Sequence, residues 1–410
     1  MIHVGVDIAK LAHWMAAIDD QGVVMLKPVR ITQDAEGYRL LANTLRSLGE
    51  PDAMVIGLEA TGHYWMLMAE EMTRLGYQVR VFNPILSGSA TRMTVRGRKS
   101  DADDALLIAK VVRDGNFVAM PLPSTEQLRA KQLSRYRQKT VARSANAKKR
   151  MQKCLDLVFP EFTTLFSDEC CVSALALLSI MPSARLMKDA KSNALAKTLV
   201  KCSRGHLNGE RIQDIITSAK ASIAATRVDE ATEMAIRMTV AEITLLQEQI
   251  DAYDKELGAL NIPGKELLES IPGIGPVLAV VILAEIVTIQ RFTTADPRRQ
   301  LRNRSRGRNG FHRLLAFAGL DARVCESGEW RGTRRMSKRG SVYLRTALYR
   351  AAFKAKNHES FKAIWEHHKV YMKQPGKVAS SHIARKVLQA VYGVLSRNVP
   401  FDPVAFKGVA

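Results

Sequence analysis

The decapeptide Ala53–Gly62, AMVIGLEATG, is an apolar run that stops on an acid. Met54–Leu58 has the length and composition of a buried strand, and Glu59 follows at its carboxyl end. Glutamate is a poor turn former, and Gly62 three residues on permits close backbone approach. A second stretch, GVDIAK at Gly5–Lys10, repeats the pattern: Ile2–Val6 is a run of apolar and small residues, and Asp7 ends it. In α/β sheets ligands bind outside the carboxyl ends of the strands. Taken alone, Asp7 reads first as a turn or cap residue. A third stretch, KSDADDA at Lys99–Ala105, places Asp101 and Asp104 at i, i+3, on one face of a helix. Ser100 as N-cap with an acidic first turn accounts for Ser100, Asp101 and Asp103, and accounts less well for Asp104. Four acids at three element ends of one α/β domain are what two divalent ions need beside a phosphodiester.

The surrounding pattern fits such a layer. His13–Ile18 reads as the hairpin partner of the first strand across Asp19–Gly22. Ala35–Leu48 and Tyr64–Leu75 have helical spacing, Gln78–Phe82 reads as a strand, and a helix follows from Ser100. Residues 1–120 are therefore expected to form a mixed α/β domain. Pro121 and Pro123 mark a boundary. Thr125 to about Val158 is basic and free of Gly and Pro, which predicts one long helix. A second long helix is predicted from about Val228 to Leu260. Its apolar positions, among them Ile236, Val240, Ile243, Leu246 and Ile250, step by three or four. That narrow seam suits a partner helix, or equally the core of its own domain. Residues 160–225 hold helical segments without an interpretable motif. Asn261–Gly264 reads as a linker into a helical C-terminal region, which gives expected domains at 1–120, 121–262 and 263–410.

Charge narrows the function. The 410 residues carry a net +21. Residues 121–153 hold 10 Lys/Arg against one acid, Glu126, and residues 291–350 hold 16 against four. Those two blocks account for the whole surplus, so they read as surfaces for a polyanion. The five cysteines form neither a CxxC pair nor a disulfide framework, which points to a reducing compartment. The apolar run Val277–Val287 is too short to span a bilayer and contains Glu285, and the start lacks the regions of a signal peptide. A cytoplasmic, nucleoid-associated protein without membrane contact is expected.

Two further segments carry chemistry. In LLESIPGIGPVLAVVIL, Leu267–Leu283, a tight turn with Gly273 and Gly275 starts a helix whose N–H groups could seat a phosphate. This is the helix-hairpin-helix pattern of sequence-independent DNA binders, and it reads equally as a plain αα-hairpin. In CESGEWRGTRRMSKRGSVYLR, Cys325–Arg345, Ser327 is followed by Arg331, Arg334, Arg335, Lys338 and Arg339. Cations of that density stabilise the transition state of attack on phosphorus, so Ser327 is a candidate nucleophile. The remaining histidines lack metal-ligand spacing, and no P-loop is present.

These motifs, with GLEATGHYW, Asn83-Pro84, GRKSDADDALLIA, LLAFAGL and VYGVL…VPFD, occur in one order from residue 5 to about 403. Together they resemble the DEDD transposases of insertion-sequence family one-hundred-and-ten, which resemble recombinases guided by a structured bridge RNA. The resemblance implies an RNase H-like, RuvC-like mixed sheet, central long helices forming a coiled coil, and a helical C-terminal domain with a helix-hairpin-helix and a catalytic serine. It implies that Asp7, Glu59, Asp101 and Asp104 bind Mg²⁺ and that Ser327 forms a 5′-phosphoserine with DNA. It further implies a composite site shared between protomers of a dimer or tetramer, with donor and target DNA and guide RNA as partners. One departure stands out. Similar sequences pass almost directly from RFTTA (Arg291–Ala295) to LLAFAGL (Leu314–Leu320), whereas here PRRQLRNRSRGRNGFHR, Pro297–Arg313, intervenes. It reads as an extra RNA contact that orders on binding, equally as a disordered insertion, or as a remnant that weakens this copy. The rival reading is a metal-only RNase H-like nuclease or Holliday junction resolvase. A non-catalytic nucleic-acid binder is the remaining alternative.

Overall fold

Five strands build the N-terminal sheet, one more than the hydrophobic pattern reveals: β1 (Ile2–Asp7), β2 (Ala12–Ile18), β3 (Val24–Thr32), β4 (Met54–Glu59) and β5 (Gln78–Phe82). The computed structural model describes residues 1–60, 62–82, 101–115, 121–188, 200, 209–293, 310–323, 326–327, 330–331, 335–404 and 406. Contacts divide the chain into two compact units, residues 1–124 with 287–294, and residues 125–286 with 295–410.

In the first unit the strand order is β3-β2-β1-β4-β5. β1 pairs antiparallel with β2 and parallel with β4, and β4 pairs parallel with β5. The sheet is thus mixed, as the alternating elements predict. β3 escapes sequence reading because VMLKPVRIT contains Pro28 and lacks clean alternation. The proline is tolerated because β3 lies at the sheet edge, where one side of the strand needs no ladder. Helices cover both faces. On one face α1 (Ala35–Leu48) and α2 (Trp65–Arg74) bury Leu41, Leu45, Met68 and Met72 against Val4, Val6, Ile56 and Leu58. On the other, α3 (Asp101–Asp114) packs Ile108 and Val112 onto Val55 and Phe82. Asp34 caps α1 by accepting from the Gly37 N–H at 2.8 Å, and Gly49 at φ 148° ends it.

The second unit begins with α4, Thr125–Val158, a single 34-residue helix. Short helices α5 (Phe162–Leu165), α6 (Val172–Ile180), α7 (Ala184–Lys188) and α8 (Gly209–Ala221) follow. Then comes α9, Glu230–Ala259. Ion pairs Arg129–Glu256, Arg137–Asp254 and Arg150–Glu242 show that α4 and α9 run antiparallel. The α9 seam of Ile236, Val240, Ile243 and Leu246 joins Ala147, Met151, Leu155 and Val158 of α4 in one core. The partner that the seam requires is therefore within the same chain. Ser134 and Ser144 are buried along α4, where small side chains let helices approach.

The remainder is mostly helical: α10 (Lys265–Glu269), α11 (Pro276–Ile286), α12 (Gln290–Thr293, assigned to the first unit), α13 (Gly310–Ala318), α14 (Val342–Ala355), α15 (Glu359–Glu366) and α16 (Gly376–Arg397). The sequence predicts a helical region here, and short strands interrupt it. Two-residue strands β6 (Ala322–Arg323), β7 (Glu326–Ser327), β8 (Trp330–Arg331) and β9 (Arg335–Met336) form two antiparallel ribbons, β6 with β9 and β7 with β8. Strands this short leave no periodicity to read. A buried carboxylate ties three helices together. Glu285 of α11 is 2% exposed and accepts from Arg135 Nε of α4 at 3.1 Å. It also accepts from the Ser341 hydroxyl at 2.8 Å, while Ser341 caps α14 by accepting from the Leu344 N–H at 3.1 Å. Among the described residues, no helix is long and apolar enough to cross a membrane.

Candidate active site

Strand parity fixes where the first two acids face. In β1, Val4 and Val6 join the core under α1 and α2, so Gly5 and Asp7 lie on the α3 side. In β4, Ile56 and Leu58 join that same core, so Gly57 and Glu59 share the α3 side. Gly5 and Gly57 are direct neighbours in the parallel register. Neither is an accident of composition. A Cβ on Gly5 would stand 2.2 Å from the Ala105 carbonyl oxygen and 2.3 Å from the Ala109 nitrogen. A Cβ on Gly57 would stand 2.1 Å from Val112 Cγ2. The two glycines let the backbone of α3 rest directly on the sheet. Because Ala105 and Ala109 lie over Gly5 and Val112 over Gly57, the first turn of α3 reaches the carboxyl end of β1. That turn carries Asp101 and Asp104, on the stripe continued by Ala105, Ile108 and Val112.

The electrostatics register this convergence. Asp7 has its carboxyl pushed up from 3.8 to about 6. Burial is the largest cause, followed by the negative charges of Asp104, Asp101 and Glu59 in that order. All four acids therefore share one electrostatic neighbourhood. Among the described residues, no group of three or more His, Cys, Asp or Glu side chains is close enough to hold one ion between them. The donor set nonetheless fits magnesium, since it consists of carboxylate oxygens whose mutual repulsion a divalent cation would offset. Gly62, at φ +59°, turns the chain just beyond Glu59, and the Ala60 N–H donates to the Phe82 carbonyl at 2.9 Å. Ser100, the predicted cap of α3, lies outside the described residues, as do Arg96–Lys99.

A histidine that sequence reasoning set aside supports the site. His13 of β2 is fully buried, and its Nδ1 accepts from the Ala9 N–H at 3.3 Å, in the loop just after Asp7. Its Nε2 meets Gln33 Oε1, which also accepts from the Tyr38 hydroxyl at 3.2 Å. Burial lowers the His13 pKa, so the ring stays neutral and Nε2 carries the proton that Gln33 accepts. The sequence signal was available: a histidine within an otherwise apolar strand must find partners.

In the second unit, Ser327 ends β7 and pairs with Trp330 of β8, and Glu326 pairs with Arg331. Arg335 opens β9, opposite Arg323. Arg334, Cys325 and Gly328 lie outside the described residues, as do Asn83-Pro84 and most of the Arg-rich stretch, 297–309. Lys338 at φ +53° and the exposed Arg339 form the turn into α14. That turn is pinned: the Ser337 N–H donates to the Asp321 carbonyl at 2.9 Å and the Lys338 N–H to the Gly319 carbonyl at 3.1 Å.

The two turn glycines differ. Gly273, at φ +90°, would place a Cβ 2.4 Å from the Ala351 carbonyl oxygen, so close packing against α14 explains it. Gly275 faces open space, with nothing within 4 Å, and precedes the first turn of α11.

Comparison with known proteins covers both units. Residues 4–160 match the model of the DEDD transposase family of IS110. Residues 265–297 and 303–366 match that of the transposase family IS116/IS110/IS902. The chain is 26% identical over 303 residues to the "Mini-circle putative transposase for IS117" of Streptomyces coelicolor, covering 71% of this chain and 73% of that one. It is 24% identical to a "Probable family 20 transposase" of Pseudomonas aeruginosa, covering 98% of each. It is 23% identical to the "Insertion element IS116 uncharacterized 44.8 kDa protein" of Streptomyces clavuligerus, covering 86% of this chain and 84% of that one.

Proposed function

The chain belongs to the IS110 family of DEDD transposases and is a DNA transposase, and from that premise we propose that it joins DNA through Ser327 with help from a four-carboxylate magnesium site. The observation that carries the metal half of the reading is the convergence of Asp101, Asp104 and Glu59 on Asp7, registered in the raised Asp7 carboxyl. Asp7, Glu59, Asp101 and Asp104 would hold the ion, with the side chains drawn closer than they stand here. When bound, Mg²⁺ polarises a phosphoryl oxygen and neutralises charge there.

Ser327 supplies the nucleophile. Its hydroxyl oxygen bonds to the phosphorus of a DNA phosphodiester, and the bond from phosphorus to the 3′-oxygen breaks. The serine proton leaves to a base and the departing 3′-oxygen gains one, giving a 5′-phosphoserine and a free 3′-hydroxyl. A 3′-hydroxyl of another strand then attacks the phosphoserine and regenerates the serine hydroxyl. Arg331, Arg334, Arg335, Lys338 and Arg339 carry positive charge toward the phosphates of the DNA. Gly275 and the first turn of α11 offer N–H groups to the backbone as in a helix-hairpin-helix.

The two basic blocks suit two polyanions, DNA and a structured guide RNA. The outer faces of the long helices α4 and α9 are where copies of the chain assemble as a dimer or tetramer, in a coiled-coil region that packs in one unit with the C-terminal helices. A DNA substrate places the protein in the cytoplasm, at the nucleoid.

Trapping in denaturant tests the reading. Wild-type protein incubated with donor and target DNA, guide RNA and Mg²⁺ should yield a protein–DNA band that survives denaturing electrophoresis. Ser327→Ala should abolish it, and Asp7→Asn should reduce it at least about tenfold. An undiminished adduct in Ser327→Ala would remove the nucleophile. Cleavage without any adduct would favour the metal-only nuclease.

A further inference from the structure

Between α4, α9, α11 and α14, within the second unit, lies a cavity of ≈ 780 Å³. Its charged lining is Arg137, Lys148, Arg350 and Lys354, with one acid, Asp254. That acid is already committed, since both its carboxylate oxygens accept from Arg137, one of them from Nη2 at 2.7 Å. Arg350, half-buried, lines the cavity, and the carboxylate that acts on it is Asp254, shared with Arg137. Burial lowers its pKa and the neighbouring Arg137 charge lowers it further, with Asp254 offsetting only part. A guanidinium held out of water beside a second cation is costly unless an anion joins it.

The rest of the lining is of another kind. Val141, Val277, Leu278 and Val281 form an apolar floor. Phe353, 65% exposed, stands among the lining residues next to Lys354. Cations and an exposed aromatic ring beside an apolar floor together match one chemistry, a phosphate bearing a flat heterocycle. A cavity of this size does not admit a duplex.

We propose that this cavity takes an unpaired nucleotide of a bound polynucleotide, with its phosphate on Arg350, Lys354 and Lys148 and its base against Phe353 and the apolar floor. The proposal rests on the transposase reading only for the identity of the polyanion, and it does not involve Ser327 or the four acids. It adds a base-reading pocket to surfaces otherwise argued from charge alone. Either an RNA or a single-stranded segment of DNA supplies the chemistry.

The test is fluorescence anisotropy of the full chain, without Mg²⁺, against a single-stranded RNA, the same sequence as single-stranded DNA, and the DNA duplex. Arg350→Gln should weaken single-strand binding about tenfold and flatten the salt dependence by about 0.7 in log–log slope. Phe353→Ala should weaken single-strand binding about fivefold and leave duplex binding unchanged. Lys354→Gln, at an exposed position, should show the same loss of slope without affecting folding. Ser327→Ala should bind as wild type. Tighter binding of RNA than of DNA identifies a 2′-hydroxyl contact, and equal binding identifies backbone and base alone; both support the pocket. Wild-type affinity and slope in both Arg350→Gln and Lys354→Gln overturn it. So does equal loss of duplex and single strand in Phe353→Ala. A change of oligomeric state in Phe353→Ala with nucleic-acid affinity intact would assign the cavity to a second copy and also overturn it. Loss of the phosphoserine adduct in the earlier assay leaves these outcomes untouched, so the two readings fail separately.

Discussion

Two of the long-range helix contacts of this chain are made by opposite means. α3 lies on the sheet backbone against backbone at Gly5, and through the Val112 side chain at Gly57. α4 and α9 meet through an apolar seam flanked by Arg129–Glu256, Arg137–Asp254 and Arg150–Glu242. The first contact fixes a distance, because nothing in it can bend. The second fixes a direction and register while leaving side chains free to adjust. The contact without slack is the one that carries the candidate acids Asp101 and Asp104. Precision at a multi-residue site comes from rigid elements held by packing, and long charged side chains do not provide it.

Four measurements sharpen this contrast, and the largest effect lies outside both contacts, at the buried hub of the second unit. Glu285→Ala leaves Arg135 and Ser341 without their shared carboxylate and should cost about 3–5 kcal/mol in urea unfolding, with Glu285→Gln clearly milder. A Glu285→Ala chain as stable as wild type would show that the hub is not structural.

Next is Gly5→Ala. The added carbon meets two backbone atoms of α3, so the helix must lift, at a cost of about 1–3 kcal/mol or more. Mg²⁺ binding, followed by calorimetry, should weaken about tenfold or more. Gly57→Ala meets a side chain instead, and a second change, Val112→Ala, should restore much of the loss. If Gly5→Ala proves as easily rescued as Gly57→Ala, backbone contact is not what sets the site.

The pH dependence is smaller. Asp7 has a folded pKa of about 6 against 3.8 unfolded, so its ionised form is disfavoured by folding. Its contribution to stability is present below 3.8 and is lost as pH rises from 3.8 through 6. Without metal, Asp7→Asn should therefore melt higher than wild type at pH 7.5, by a few degrees, with the gap about halved near pH 5 and closed only below about pH 4. Mg²⁺ affinity of the wild type should fall as pH drops from 7 to 5, with proton uptake on metal release measurable in buffers of different ionisation heat. A gap that persists undiminished at about pH 4 would detach Asp7 from this titration.

Smallest is Arg129→Ala. The pair with Glu256 is more than half exposed on both sides, so its loss should cost no more than about 1 kcal/mol and disappear in high salt.

How much of this was legible in the sequence follows the same division. The acids could be read, because strand ends and i, i+3 spacing are local patterns, and parity then places Asp7 and Glu59 on one face. The antiparallel pairing of α4 and α9 was half legible: the seam of Ile236, Val240 and Ile243 was visible, but its partner's identity is a matter of tertiary structure. Gly5 and Gly57 were not read as the seat of α3, because a glycine's reason lies in what approaches it from elsewhere in the chain. β3 hid behind Pro28, and the ribbons around Ser327 are too short to have a period. Glu285 looked like a mere interruption of an apolar run, and its partners Arg135 and Ser341 lie 150 and 56 residues away. His13 was set aside for lacking metal-ligand spacing, while its use is to hold the chain beyond Asp7 in place.

The bare patch that Gly5 and Gly57 leave on the sheet has a consequence for repair. Damage there is an error of position and not only a shortage of stability. General stabilisers elsewhere, such as a better cap or an added ion pair, can restore the melting temperature of a Gly5 variant. They cannot bring Asp101 and Asp104 back to the end of β1. A population selected for DNA joining should therefore recover from Gly5→Ala by true reversion, whereas one selected for abundance alone should accept suppressors anywhere in the first unit.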